Sequence, residues 1–225
     1  MSLQIKVFCA GPLQNNVILI FDDSSKECFL FDPSFGIEEI LRILDREKLK
    51  VKAVLFTHGH FDHFAGLSYL LSKLPTEPEI GLHADDLAIW RDGGGSRQFR
   101  ALIEPPCDPN ITLKDGQHLI LGKSEIEIRH TPGHSPGSVI YYVPDLNTAI
   151  VGDLIFHRGV GRTDLDGGSF KSLKESVHSR VFTLPPETIL IPGHGPNTTV
   201  AEEMEYNPYV GVHSDLSLDE QDFSD

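Results

Sequence analysis

The chain has 225 residues, 40% hydrophobic and 23% charged, an ordinary mixture for one folded domain and not for a disordered segment. Nineteen Lys and Arg against 33 Asp and Glu leave a formal charge of −14, the wrong sign for tracking phosphate backbones, so nucleic acid is not an expected partner. The longest early apolar run, 17–21, falls far short of the ~18 residues a membrane span needs, and no basic stretch leads into an apolar block; neither a membrane anchor nor a secretory signal is expected.

Five acidic residues (Asp215, Asp219, Glu220, Asp222 and Asp225) and no base fall in 214–225. That segment reads as a disordered, solvated tail after a single domain over 1–213. Cys9, Cys28 and Cys107 are odd in number and share no zinc-ribbon, redox-pair or disulfide spacing. Reduced thiols and a cytoplasmic location are the expectation.

Along the chain, 4–8, 16–21 and 28–31 read as strands, the last two joined by the turn-forming Asp22-Asp23-Ser24-Ser25. Ile37, Ile40, Leu41 and Leu44 follow helical spacing, and the apolar run 51–56 suits a strand covered on both faces. Phe64, Leu67, Leu71 and Leu74 predict a second helix, closed by Pro75. The Gly- and Pro-rich segment 92–110 holds no phosphate-cradling glycine motif and reads as a surface loop or flap bordering a site. Strands return at 111–114, 117–121 and 125–130, separated by Asp115-Gly116 and Gly122-Lys123, and again at 138–143 and 148–151. Phe170, Leu173, Val177 and Val181 mark a third helix before a strand at 188–191. Each half of the chain gives strands first and helices afterwards. This predicts an α+β fold of four layers, two sheets face to face with helices outside (αββα).

The chemistry concentrates in His58-Gly59-His60-Phe61-Asp62-His63, directly after the strand 51–56. His58 and His60, two apart in extended backbone, project to one side, and Asp62 and His63 follow at the turn into a helix. Three imidazoles and a carboxylate are the borderline-hard donors that hold Zn²⁺, Mn²⁺ or Fe²⁺. Asp62 alone reads equally as a helix cap. Three more metal-type side chains stand at strand ends fixed by Gly and Pro: His134 in Thr131-Pro132-Gly133-His134, Asp153 after Val151-Gly152, and His194 in Pro192-Gly193-His194-Gly195-Pro196.

With these motifs in order across 57–194, the chain resembles the metallo-β-lactamase fold superfamily. Gly161-Arg162-Thr163-Asp164, the Pro192–Pro196 loop and Asn207-Pro208 are most similar to its short, glyoxalase II-like (hydroxyacylglutathione hydrolase-like) branch. The resemblance implies an αββα sandwich with two divalent metal ions at the sheet edges, zinc expected and Fe²⁺ or Mn²⁺ as alternatives. By motif, one ion takes His58, His60 and His134, the other takes Asp62, His63 and His194, and Asp153 bridges them. A divalent ion lowers the pKa of water to about 7, so hydroxide is available to attack a carbonyl, with Asp62 as a catalytic residue orienting it.

A thioester is chemically the easiest substrate for such a centre, because a thiolate with a pKa of about 8.5 leaves without a proton, whereas an amide nitrogen needs an acid. The small-molecule substrate that the branch implies is an acylated glutathione. Arg162 would grip a substrate carboxylate unless it pairs with Asp164, and Tyr142 is a second substrate-binding residue; Tyr141, Arg97 and Arg100 neighbour the same loops. The β-lactam-cleaving branch commonly carries Cys where Asp153 stands and is exported, so β-lactams are not expected. The C-terminal helical domain bearing glutathione-binding cations in full-length glyoxalase II has no expected counterpart here. An alternative function is that of a persulfide dioxygenase with a single iron, a branch that shares H-x-H-x-D-H and G-R-T-D.

Overall fold

The central strand segments 17–21 and 53–55 are apolar at consecutive positions because both faces of the sheet are covered there. The computed structural model, which describes residues 3–214, shows by what. The first half contains β1 (Leu3–Ala10), β2 (Asn15–Asp22), β3 (Glu27–Phe31), α1 (Glu38–Glu47), β4 (Lys50–Leu55), α2 (Phe61–Phe64), α3 (Leu67–Lys73), β5 (Glu79–His83), α4 (Leu87–Arg91) and β6 (Ile111–Leu113). Its six strands form one sheet in chain order, antiparallel from β1 to β3 and parallel from β3 to β6.

The second half contains β7 (His118–Leu121), β8 (Ser124–His130), β9 (Val139–Val143), β10 (Thr148–Gly152), β11 (Ile155–Phe156), β12 (Gly159–Val160), α5 (Phe170–Ser176), β13 (Ile189–Pro192), β14 (Thr198–Thr199) and α6 (Val200–Tyr206). The second sheet runs β14-β13-β10-β9-β8-β7, with β10 and β13 parallel, and β11 and β12 form a small separate hairpin.

Alternation along the strands sorts the apolar residues into three layers. Ile18 and Ile20 of β2 and Phe29 and Phe31 of β3 face Ile126, Ile128, Val139 and Tyr141 across the two sheets. Val17, Leu19 and Phe21 point the other way, against Ile40, Leu44, Leu67 and Trp90 of the first helical layer. Ile140, Ala149 and Val151 of the second sheet pack on Leu173, Val177 and Val181. Three apolar layers between four layers of backbone make the expected αββα sandwich. Among the described residues, no helix is long and apolar enough to cross a membrane. The tail expected at 214–225 lies, apart from Ser214, outside the described residues.

Several elements differ from the sequence-based expectation. The single helix expected through Phe64, Leu67, Leu71 and Leu74 is two, α2 and α3, turned at Gly66. The Gly66 amide donates to the Pro33 carbonyl at 2.9 Å, and a Cβ at this position would stand 2.0 Å from the Ser34 carbonyl oxygen. The strand β5 was not expected, although Ile80 and Leu82 alternate around Gly81. Nor was α6, whose Thr199 side chain caps the amide of Glu202 in a Thr-x-x-Glu arrangement that signals a helix start. The helix through Phe170 runs as expected and ends in a π-helical turn, Val177–Val181.

Gly66→Ala is expected to cost about 3 kcal/mol, because the methyl group must displace backbone rather than a flexible side chain. The midpoint of urea unfolding measures it; an unchanged midpoint would mean the 33–34 segment yields freely.

Candidate metal centre

All seven side chains expected to bind metal converge at one edge of the sandwich, beyond the C-terminal ends of β4, β10 and β13 and in the turn between β8 and β9. The tyrosine hydroxyl of Tyr141, between the sheets, donates to the Phe56 carbonyl at 2.6 Å and fixes the exit of β4. His58 and His60 follow there, and Asp62 and His63 lie on α2. Gly193 shows how closely the loops approach: a Cβ there would sit 2.1 Å from Asp153 Oδ1.

The donors fall into groups whose atoms lie within 4.8 Å of one another: His58, His60 and His134; Asp62, His63 and His194; and, joining them, His58, His63 and Asp153. Nε2 of His134 is 3.2 Å from Nε2 of His58 and 2.8 Å from Nδ1 of His60. Three imidazoles on a common tetrahedral ion would hold their nitrogens about 3.3 Å apart, so the first group is already arranged for one. Asp153 faces both groups, with Oδ1 at 3.4 Å from His63 Nε2 and Oδ2 at 3.7 Å from both His134 Nε2 and His194 Nε2.

Hydrogen bonds on the far side of the rings decide which nitrogens stay bare. Thr57 Oγ1 donates its proton to Asp32 Oδ2 at 2.7 Å and must therefore accept from His58 Nδ1 at 3.0 Å, which leaves His58 Nε2 without a proton. His63 Nδ1 donates to the same Asp32 oxygen at 3.0 Å. His134 Nδ1 donates to the Arg162 carbonyl at 2.8 Å, and His194 Nδ1 to the Leu13 carbonyl at 2.9 Å. Each ring thus presents its other nitrogen to the cluster, the pattern of metal-ligating histidines. His63 Nε2 and Asp153 Oδ1 are buried and, although 3.4 Å apart, make no hydrogen bond to each other or to any other of the described residues. Orphaned donors of this kind cost free energy unless something else binds them. A pair of cations fits.

Electrostatics divides the cluster in two. Burial, with His63, His134 and His60 close by, holds His58 well below the usual imidazole range, and burial with His134 pushes His60 down to about 3. Burial also opposes charge on His63, but Asp62, Asp32 and Asp153 outweigh it and raise the ring well above its ordinary value. His194 is raised despite its burial by Asp62 and Asp153. Against their own burial, Asp62 is kept ionised by His63, His194 and Asn15, and Asp153 by His63, His134 and His194.

Four polar residues that the sequence reading missed hold this arrangement. Asp32, fully buried, also accepts from the Thr57 amide at 2.8 Å. Asn15 donates to Asp62 Oδ2 at 2.8 Å and accepts from Ser34 Oγ at 3.0 Å. Asn16 donates to the carbonyls of Pro192 and Gly195 at 2.9 and 2.8 Å, tying down the His194 loop. Asp86, also fully buried, accepts from the Gly59 amide (2.7 Å), the Gly137 amide (2.6 Å) and Ser135 Oγ (2.7 Å), clamping the His58–His60 loop to the His134 loop. A signal existed for Asp32, which follows a strand as Asp153 does. None existed for the other three.

The donors open onto a cavity of about 460 Å³, lined on one side by Gly94, Gly95, Gln98 and Phe99 of the loop expected to border a site. Arg162 reaches the cavity too, but its guanidinium makes two 2.7 Å hydrogen bonds to Asp164. The expected substrate-binding Tyr142 is a correction. It alternates with the inward-facing Tyr141 on β9, so it packs on the outer helical layer beside Arg129 and does not line the cavity. Arg97 pairs with Asp92, and neither Arg97 nor Arg100 lines the cavity. A fourth group of metal-type side chains, His83, Asp85 and His130, lies outside the cavity. Its rings stack at 4.1 Å and 12°, so their in-plane lone pairs run side by side and do not converge.

An αββα sandwich carrying a His/Asp cluster suited to two metal ions at its sheet edge defines a metal-dependent hydrolase class. The chain belongs to the metallo-beta-lactamase superfamily, whose family model matches residues 10–194. It is 36% identical to the "Probable metallo-hydrolase YqgX" of Bacillus subtilis over 91% of this chain and 96% of that one. It is 29% identical to "Hydroxyacylglutathione hydrolase GloC" of Haemophilus influenzae (94% and 100% covered) and 31% identical to human "Persulfide dioxygenase ETHE1, mitochondrial" (84% and 69%). Among solved structures, the BLEG-1 B3 metallo-beta-lactamase matches with a TM-score of 0.85 at 35% identity, over 92% of this chain and 99% of that one. A di-iron-bound form of TTHA1623 matches with a TM-score of 0.80 at 35% identity, over 91% and 99%.

Asp32→Ala is expected to weaken metal binding about 10- to 100-fold by releasing the His58 and His63 rings. Competition with a chromogenic chelator reads this, and unaltered affinity would remove Asp32 from that role. In the metal-free chain His63 keeps a proton at neutral pH, which an incoming cation must displace. Apparent metal affinity is therefore expected to rise with pH and loading to release protons; a flat profile between pH 6 and 8 would contradict it.

Proposed function

We propose that the chain is a hydrolase with a dinuclear metal centre acting on thioesters. His58, His60 and His134 are assigned to one ion, Asp62, His63 and His194 to the other, and Asp153 to both. The observation that carries this is the pair of donor groups that share Asp153 and open onto one cavity, with His63 Nε2 and Asp153 Oδ1 left without a hydrogen bond among the described residues. Divalent ions in this donor set supply Lewis acidity, which brings water's pKa to about 7 and polarises a carbonyl. Zinc suits imidazole and carboxylate donors, and so do iron and manganese. The three unpaired cysteines fit a reducing compartment, and we propose the cytoplasm.

The protein's own groups then position the reactants. Asp62, held ionised and anchored by Asn15, orients the attacking water. The backbone of Arg162 holds His134 in its tautomer. Beyond the donor cluster, the titratable side chains lining the cavity are Asp92, Asp166 and Arg162. None is an acid suited to protonate a departing amine at neutral pH, whereas a thiolate needs no proton. The likeness to GloC makes an acylglutathione the first thioester to test.

The likeness to ETHE1 supports a second reading, a persulfide dioxygenase with a single iron. The complete second donor group favours hydrolysis. Metal-loaded protein is expected to cleave thioesters and to consume no oxygen with glutathione persulfide; oxygen uptake without thioester cleavage reverses the assignment. Asp153→Ala should lower thioester turnover by at least about 10²-fold with the fold retained by circular dichroism, since it removes a donor common to both ions. Undiminished turnover would refute the shared role.

A further inference from the structure

The walls of the cavity carry information that the donor cluster does not. Leu13, Phe61, Ile89, Phe99 and Leu165 line it. Phe61 and Phe99 stand 5.5 Å apart, centroid to centroid, as one aromatic wall. Leu13 is 45% exposed and Phe99 is 53% exposed, large apolar groups left in water at the mouth of a cavity. Exposed apolar side chains scattered singly need no explanation, but two that frame an opening mark where an apolar part of a ligand lies.

Charge at the same mouth points in a consistent direction. Among the described residues, Arg162 is the one lysine or arginine lining the cavity, and Asp164 occupies its guanidinium with two hydrogen bonds. Asp92 is neutralised by Arg97 at 2.9 Å. Asp166 has no ion pair among the described residues, so these groups together leave one negative charge at the rim. A glutathione thioester brings two carboxylates and one ammonium and is net anionic; among the described residues lining the cavity no free lysine or arginine meets the carboxylates, and the chain's net charge of −14 opposes the approach of an anion. The uncharged polar side chain at the wall is the amide of Gln98, beside the backbone of Gly94 and Gly95, a surface that suits a neutral amide-bearing chain.

We infer that this site takes thioesters of apolar acyl groups on a neutral, amide-bearing thiol carrier, and discriminates against carriers that bring carboxylates to the mouth. The inference rests on the thioester reading and narrows it. An aliphatic acyl chain lies against Phe99 and Leu13, and the carrier passes along Gln98. Hydrolysis transfers one oxygen of water to the acyl carbon, breaks the C–S bond and releases a carboxylate, a thiol and a proton to solvent, with no redox partner.

The test uses metal-loaded protein with acetyl, butanoyl and hexanoyl thioesters of N-acetylcysteamine, and the hexanoyl thioester of glutathione. Between acetyl and hexanoyl, kcat/KM is expected to rise at least about tenfold, each methylene gaining apolar contact. The neutral carrier is expected to exceed glutathione, with the gap narrowing as salt is raised. Phe99→Ala should flatten the chain-length dependence, and Asp166→Lys should raise turnover of the glutathione thioester. A series independent of chain length overturns the acyl assignment, and faster cleavage of the glutathione thioester overturns the carrier assignment; both leave a thioester hydrolase standing. No cleavage of any thioester overturns the hydrolase reading and this inference together.

Discussion

The centre depends on a single buried carboxylate that is not itself among the expected metal ligands. Asp32 ends β3 with a positive φ of 48°, a conformation an aspartate tolerates better than most residues but still at some cost. Its amide donates to the Leu55 carbonyl of the neighbouring parallel strand, which places its carboxylate beside Thr57. From there it accepts three hydrogen bonds, and two of them propagate outwards. The bond from the Thr57 hydroxyl leaves that oxygen free to accept from His58, and the bond from His63 fixes that ring directly. One side chain thereby sets the tautomers of two rings that belong to different donor groups. Free imidazoles would sample both tautomers and several rotamers, and ordering them at the moment of metal binding would weaken affinity.

The rest of the fold serves to bring such fixed groups from distant parts of the chain to one edge. β3 and β4 supply Asp32 and the His58 loop, β10 supplies Asp153, and β13 supplies His194, so both sheets contribute their strand ends. Close-packed apolar layers hold the strands, but the loops need polar ties. Asp86 joins the His58–His60 loop to the His134 loop across the two halves of the chain. Asn16 joins the start of β2 to the Pro192–Gly195 loop. These ties are buried, so each hydrogen bond is strong and each loss leaves unsatisfied groups. They tie the donor-bearing loops to one another and to β2, as a donor cluster with tolerances of about tenths of an ångström requires.

What could be read from the sequence follows from the range over which each signal acts. The cluster His58–His63 was legible because four donors stand within six positions, and β2 because its middle, 17–21, is an unbroken apolar run that is buried throughout. Layer order followed from strands and helices that alternate by period. The break at Gly66 was not legible, since it arises from backbone of residues 33–34 that only the folded chain brings near. Tyr142 was misassigned for a different reason: strand parity turns on one residue, and its neighbour Tyr141 takes the inward face. Asp86 and Asn15 are single polar residues whose hydrogen-bond partners lie 19 or more positions away, so no local pattern distinguishes them from surface groups. Arg162 was legible as a choice between substrate and Asp164, and the folded chain places it on Asp164.

The two donor groups are chemically unlike, and that difference bears on how a carbonyl would be handled. His58, His60 and His134 are uncharged donors, and burial depresses His58 and His60 so far that neither carries a competing proton. Asp62, His63 and His194 include a carboxylate, with Asp32 behind His63 and Asp153 beside it. A cation among three neutral imidazoles keeps more of its charge than one facing carboxylates, and so polarises an oxygen ligand more strongly. The carboxylate-rich side instead offers Asp62 as a hydrogen-bond acceptor that would orient attacking water. In the proposed hydrolysis, His58, His60 and His134 would hold the ion that stabilises developing negative charge, and Asp62 on the other side would orient the nucleophile. Two identical sites would divide neither task, and the chain builds the asymmetry from the placement of Asp62 and Asp32 on one side of Asp153.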